Sequence, residues 1–196
     1  MNKTHLAATV IALGSLAAFS TAGAQQATIP SPFHAGQWGV EAYADIFGHG
    51  GAMRFFTPQT ALVFDLGAEH GDTKAAANSN STLQKSTTNT LDLELGLRHH
   101  TMVAPKVVST FGAGVDAGTI QRRDEYLGFP SITVSSYRAN YVGAFAEVGG
   151  QYMIADRFAV GLAFYLSARR TSTNAGDQRG FEYNTSFRPL RATLYF

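Results

Sequence analysis

The chain has 196 residues, fifteen Lys and Arg against fourteen Asp and Glu, twenty glycines, no cysteine and 45% hydrophobic residues. A net charge of +1 offers no basic excess with which to grip nucleic acid, and a fold without cysteine must hold without disulfides. Beyond residue 24 no stretch reaches the ~20 apolar residues of a membrane-crossing helix, so the chain can enter a bilayer only as a closed barrel; an open sheet would leave N–H and C=O groups unpaired in lipid.

Residues 1–24 read as a secretory signal: Lys3 supplies the positive start, Leu6 to Phe19 is apolar or small, and Ala22-Gly23-Ala24 fits a small-x-small cleavage site. The mature chain then begins at Gln25 and comprises one domain with balanced charge. Residues 25–36, with Pro30 and Pro32, form an extended lead-in, and residues 37–196 form the folded unit.

From Gln37 onward the apolar residues recur at period two, the spacing of a strand with two unlike faces. Strand one runs from about Gln37 to Phe47, with Trp38, Val40, Ala42, Ala44 and Ile46 on one face and Glu41, Tyr43 and Asp45 on the other. Gly48 to Gly51 reads as a tight turn. Strand two, Ala52 to Thr57, is short and weakly patterned, and Thr57-Pro58-Gln59-Thr60 turns the chain. In strand three Leu62, Phe64, Leu66 and Ala68 alternate with Val63, Asp65, Gly67 and Glu69; the polar stretch Gly71 to Thr88 then reads as a loop.

Strand four is the cleanest, with Leu91, Leu93, Leu95 and Leu97 opposite Asp92, Glu94, Gly96 and Arg98. A short turn at Met102 to Lys106 leads to strand five, where Val107, Ser109, Phe111, Ala113 and Val115 face away from Asp116. Gly118 to Ser136 is a second long connection, in which Ile132 to Val134 can extend a strand. Strand six, Tyr137 to Met153, sets Val142, Ala144, Ala146 and Val148 against Tyr141, Phe145, Glu147 and Gln151. Strand seven sets Phe158, Val160, Leu162, Phe164 and Leu166 against Tyr165, Ser167 and Arg169; Arg170 to Gly180 is the third long connection. In strand eight Phe181, Tyr183 and Phe187 keep one phase and Leu190, Ala192, Leu194 and Phe196 the other. A one-residue slip at Arg188-Pro189 reconciles them, since proline cannot donate to a ladder and marks a bulge.

These elements predict an all-β fold, an eight-stranded antiparallel up-and-down transmembrane β-barrel with short turns at the end of the termini and longer loops at the other. The apolar faces point outward and the charged residues inward, where both signs must pair because an isolated buried charge is costly. Tyr43, Tyr141, Phe145 and Tyr165 fill a lumen that eight strands leave barely wide enough for side chains. Trp38, Tyr152, Phe158, Tyr195 and Phe196 make one aromatic girdle; Phe47, Tyr137, Phe181 and Tyr183 make the other. The same alternation also suits a soluble lipocalin-like barrel turned the other way, with the acids in water.

The final strand, Pro189 to Phe196, resembles the terminal signature read by the barrel-assembly machinery of Gram-negative bacteria. From about Gln37 to Phe196 the chain resembles the small eight-stranded outer-membrane barrels of OmpA and OmpX type, without the downstream peptidoglycan-binding domain of full-length OmpA-like proteins. The resemblance implies a bacterial outer-membrane location with both barrel termini periplasmic. It implies outer-membrane lipid, lipopolysaccharide and the assembly machinery, through Phe196, as partners, and a structural or surface-interaction role. Arg122 and Arg123 are candidates to meet lipopolysaccharide phosphates. Some such barrels trim or transfer lipid A acyl chains, and others are narrow pores. Here His99 and His100 fall at the periplasmic end of strand four, the His-x-Ser motif of the deacylases is absent, and His49 and His70 lack the spacing of a metal site. The expectation is therefore no enzyme, no catalytic or metal site, no cofactor and no nucleic-acid partner.

Overall fold

The computed structural model describes residues 30–44, 48–75, 84–127, 132–173 and 179–196. The signal segment, Asp45, Ile46, Phe47, Gly128, Pro130, Asn174 and Gly176 lie outside the described residues. Among these residues eight strands follow one another: β1 (Trp38–Tyr43), β2 (His49–Phe55), β3 (Thr60–Ala75), β4 (Gln84–Ala104), β5 (Val107–Leu127), β6 (Ile132–Ala155), β7 (Phe158–Thr173) and β8 (Arg179–Tyr195). Each pairs antiparallel with the next, and β8 pairs with β1 to close a barrel. The all-β antiparallel architecture and strand count are those that the period-two pattern predicts.

Closure is staggered. From Ala42 the register runs through Gly50, Leu66, Leu93, Ala117, Val142 and Arg170 to Phe181, whereas Ala42 itself lies opposite Ala192 of β8. A displacement of that kind tilts the strands against the barrel axis. The seam is completed at its lower end by Trp38 and Phe196, whose backbones exchange hydrogen bonds of 3.0 and 2.9 Å. Tight turns at Pro105–Lys106 and Asp156–Arg157 lie at this same end; Lys106 takes a positive φ of 66°.

The expected orientation of the faces holds. Leu91, Leu93, Leu95 and Leu97 are 41–52% exposed on the outside, while Asp92, Glu94 and Arg98, between and beside them, are 2–7% exposed within. Val40, Leu62, Phe64, Val115, Val142, Val148, Phe164 and Leu194 extend the outer apolar surface around the barrel.

Four expectations change. Gly48 to Gly51 is not a turn: His49, Gly50 and Gly51 belong to β2, paired to both β1 and β3. Gly51 is there for closeness, since a Cβ on it would stand 1.7 Å from Asp65 Oδ1. Of the three long connections, most is strand. β3 and β4 pair out to Ala75↔Gln84, β5 and β6 to Leu127↔Ile132, and β7 and β8 to Ser172↔Arg179. Backbone ladders need no apolar face, and where both faces are polar the period-two signal vanishes while β-branched Thr, Ile and Val still favour the strand. Tyr195 belongs to no girdle; it is fully buried inside. Arg188, absent from the expected interior set, joins it.

The last point follows from the bulge. Gly161 pairs with Arg191 and Ala163 with Arg188, so Pro189 and Leu190 together face the single residue Leu162. Arg188 and Arg191 therefore both point inward, which strict alternation forbids.

Candidate functional site

The chemistry of this fold is gathered in the lumen, where inward residues of all eight strands meet in layers. At the end of the termini lies an apolar plug. The lead-in folds under the barrel, held by hydrogen bonds from Gly36 N to Phe55 O (2.7 Å) and from Ser31 Oγ to Pro58 O (2.5 Å). This sets Phe33 into the mouth, stacked on Phe55 at 4.7 Å and against Tyr195 and His100 at 4.8 and 5.3 Å between centroids. Met53, Val63, Val108 and Met153 close around it.

Above the plug is a layer of buried charge. Arg98 bonds Glu147 through Nε and Glu41 through Nη1 (2.6 Å), while Nη2 reaches the Tyr43 hydroxyl (3.3 Å). Arg191 donates to Thr110 Oγ1 (3.0 Å) and Glu147 Oε1 (3.4 Å). The amide of Gln151 turns its oxygen to Arg191 Nε (3.1 Å) and its nitrogen to the Tyr195 hydroxyl (2.7 Å), because the opposite orientation would face donor to donor. Thr193 Oγ1 donates to Glu41 Oε1 (3.0 Å). Arg98 thus meets two carboxylates through separate donors, and Arg191 meets Glu147 and, at 3.8 Å, Glu41.

The next layer centres on Arg188. It holds Glu94 in a bidentate pair (2.6 and 3.3 Å), lies 3.8 Å from Asp65, and sits over the rings of Tyr165 (4.4 Å) and Tyr43 (4.9 Å). Two faces of π density and two carboxylates stabilise a cation that would otherwise be costly in the interior. Phe145 stacks on Tyr165 at 5.2 Å and lies over the inward Gly96 and Gly114, where a Cβ would stand 2.8 Å from its ring. Furthest from the plug, Arg169 bonds Asp116 and Asp92 (3.3 Å to the latter), with Tyr141 beneath its guanidinium at 4.5 Å and donating to Asp92 Oδ1 at 2.7 Å.

The expected inward acids Glu41, Asp65, Asp92, Glu94, Asp116 and Glu147 are all buried, and Glu69 is half-buried. Tyr43, Tyr141, Phe145 and Tyr165 fill the lumen as expected. Among the described residues six buried carboxylates share four arginines, so the interior there carries a surplus of acceptors. Beyond Arg188, sequence reasoning missed Phe33, whose only signal was a single aromatic in a proline-bearing lead-in.

The histidines are dispersed. His100 is sealed in the plug; His99 is outside, its Nδ1 3.2 Å from Thr60 Oγ1; His70 Nδ1 lies 2.6 Å from Asn89 Oδ1 near the far end. His49 stands over Gly67, facing the upper lumen. Among the described residues no group of three or more His, Asp or Glu is placed to hold a metal ion.

Beyond the apolar surface the strands continue as a polar sheet. Thr87 Oγ1 donates to Asp72 Oδ1 (2.7 Å) and holds its carboxyl below the usual range; the Ser86 hydroxyl, then Arg122, do the same for Asp124. Arg122 pairs with Asp124 at 2.9 Å and Arg123 with Glu125 at 3.1 Å. Lys85, Arg122, Arg123 and Arg138 with Glu125 line a shallow basin of about 570 Å³ on β4, β5 and β6.

In structure the chain is similar to the N-terminal β-barrel domain of Pseudomonas aeruginosa OprF, at 14% identity and a TM-score of 0.39, over 83% of this chain and 98% of that one. No protein-family model matches the chain, and no curated protein matches it in sequence.

Proposed function

We propose that this chain is an integral outer-membrane β-barrel with both termini periplasmic and a structural or surface-interaction role. The observation that carries the reading is the inverted polarity of the wall: bulky apolar side chains on the outside around the barrel and paired ions at its axis. A protein dissolved in water gains nothing from exposing such a band, whose area far exceeds the patches that soluble monomers tolerate, whereas hydrocarbon favours it. Trp38, Phe56, Tyr152, Phe158 and Phe196, exposed near the end of the termini, and Tyr137, Phe181 and Tyr183, exposed towards the far end, suit the two interfaces. The soluble lipocalin-like alternative requires the opposite disposition of leucines 91 to 97.

In this reading the polar continuation of β3 to β8 stands outside the cell and presents the interaction surface. The basin lined by Arg122 and Arg123, together with Lys85 and Arg138, has more cations than anions and lies on the polar continuation of the strands, which suits lipopolysaccharide phosphates. Phe196, outward at the closing seam, is the residue offered to the assembly machinery. The lumen works as a filled strut rather than a catalytic centre: its acids are engaged by arginines, and the only buried histidine among the described residues lies in the apolar plug.

A heat-modifiability gel tests the barrel in lipid. Protein folded into vesicles is expected to migrate differently boiled and unboiled, and to resist protease across β1 to β8. Identical migration, together with extraction of the protein from vesicles by carbonate, would remove the outer-membrane reading.

A further inference from the structure

His100 is out of keeping with its surroundings. It stands in the apolar plug at the mouth of the barrel, 1% exposed, its place on β4 fixed by a hydrogen bond from His100 N to Gln59 O (2.6 Å). Its ring meets Phe33 edge-on at 5.3 Å and lies 4.9 Å from Phe55 between centroids. Neither ring nitrogen has a hydrogen-bond partner. A neutral imidazole carries one N–H donor and one acceptor, and burying them unpaired is unfavourable where a leucine or phenylalanine would lose nothing. Packing therefore gives no reason for a histidine here.

The charges around the plug leave a protonated ring without a counter-ion. Arg98, two residues away on the same face of β4, and Arg191 of β8 bring cations towards it, and the carboxylates above it, Glu41 of β1 and Glu147 of β6, already hold those two guanidiniums. The Tyr195 hydroxyl of β8 is taken by the Gln151 amide at 2.7 Å. Among the described residues β2, β3, β5 and β7 give the plug only apolar side chains. His34 of the lead-in is exposed, and His99 faces outside. Only water could serve an imidazolium at position 100, and Phe33 covers the ring. That cover is lightly held. The lead-in hangs on the bonds from Gly36 N to Phe55 O and from Ser31 Oγ to Pro58 O, and it turns into β1 at Gly36, whose φ of 87° lies in the left-handed region that glycine adopts freely. Neither bond belongs to the ladders that close the barrel, so the lead-in can open locally while the strands stay paired.

We propose that the lead-in is an acid-released plug: protonation of His100 drives Phe33 out of the mouth, the lead-in swinging on Gly36 while the eight strands stay paired. Histidine is the side chain whose charge changes between about pH 5 and 8. With Phe33 withdrawn the ring meets water and takes a proton near its ordinary value of ~6.5; beneath Phe33 it has no partner for the charge. The released state therefore binds one proton more than the docked one. Docking keeps its full strength above about pH 6.5 and weakens as pH falls, the released-to-docked ratio rising by up to about tenfold for each pH unit. The device needs the barrel and its plug, not the membrane around them.

The test uses the full mature chain in nanodiscs with a nitroxide attached at Ala35→Cys, an exposed position in a sequence that has no other cysteine. The label is expected to be immobile at about pH 8 and to show a mobile fraction that grows from about pH 6.5 down to about pH 5, with heat-modifiable migration kept throughout. In His100→Phe, and in His100→Leu should the larger ring not fit, mobility is expected to be the same at both ends of that range. His34→Asn and His99→Asn, which lie outside the plug, should leave the transition in place. A label equally immobile across the range, a mobile fraction that still rises in acid in the His100 variants, or a transition lost with His34→Asn or His99→Asn would overturn the acid-released plug. A barrel that does not insert into nanodiscs would instead overturn the outer-membrane reading, and the same spectra in detergent micelles would still decide the plug.

Discussion

Arg98 shows at one residue what the interior demands. Its guanidinium is 2% exposed and satisfies Glu41, Glu147 and Tyr43 together. Removing it leaves two carboxylates to Arg191 alone, and a broken buried pair costs roughly 3–5 kcal/mol where an intact one contributes little net stability. Arg98→Met is thus expected to lower unfolding stability in urea by about that amount, and adding Glu41→Gln to recover part of it, since one orphaned charge then disappears. Size is as constrained as charge. A Cβ on Gly114 would stand 2.2 Å from Leu95 O and 2.5 Å from the Gly96 backbone, with the Phe145 ring at 2.8 Å. Neither backbone can retreat within a paired ladder, so Gly114→Ala is expected to destabilise by about 2 kcal/mol or more, measured in the same titration. Lys106 presents the opposite case. Its positive φ of 66° in the Pro105–Lys106 turn strains a side chain that has no reason to be there, and Lys106→Gly should stabilise by up to about 1 kcal/mol.

Among the elements, β8 is the one whose register is decided by a single irregularity. Because Pro189 and Leu190 together face Leu162, deletion of Pro189 removes the bulge and leaves Phe187 out, Arg188 in, Leu190 out and Arg191 in, an unbroken alternation against β7. That deletion is expected to fold and keep its heat-modifiable band. Deletion of Ala192, three residues on, slips Thr193, Leu194 and Tyr195 to the wrong faces and should abolish the band. The irregularity was visible in the sequence as a phase change at a proline, and so were the faces of β3, β4, β6 and β7, because one side of each carries the apolar outer face and the other lines a polar lumen. What was hidden is what lacks that contrast. Asp72, Lys74, Lys85 and Thr87 are polar neighbours on exposed strand ends, so the ladder that joins β3 to β4 there leaves no periodic trace. The partners of Arg98, Arg169, Arg188 and Arg191 were equally hidden. Their hydrogen-bonded carboxylates come from strands 44 to 94 residues away, and only closure and stagger decide which carboxylate each one meets. Phe33 escaped because a plug residue belongs to no repeating element.

For the molecule as a whole, the layers act as two closures in series. The aromatic plug of Phe33, Phe55 and Tyr195 seals the mouth near the termini, and above it Arg98, Arg191, Glu41 and Glu147 fill the bore with side chains 0–5% exposed. An ion passing through must displace an apolar cluster and then separate a paired layer, either of which is sufficient to stop it. Purified protein in planar bilayers is therefore expected to show no large stable conductance steps. Phe33→Ala opens only the first closure; it should cost about 3–5 kcal/mol through the cavity it leaves and still yield no current. Phe33→Ala combined with Arg98→Ala and Glu147→Ala opens both, and small steps are then expected. They should favour cations, because the remaining carboxylates of the lumen, Asp65, Asp92, Glu94 and Asp116 among them, still outnumber its arginines. Steps from the Phe33→Ala protein alone would show that the charged layer does not close the bore, and anion preference in the triple variant would contradict the acidic character assigned to the lumen.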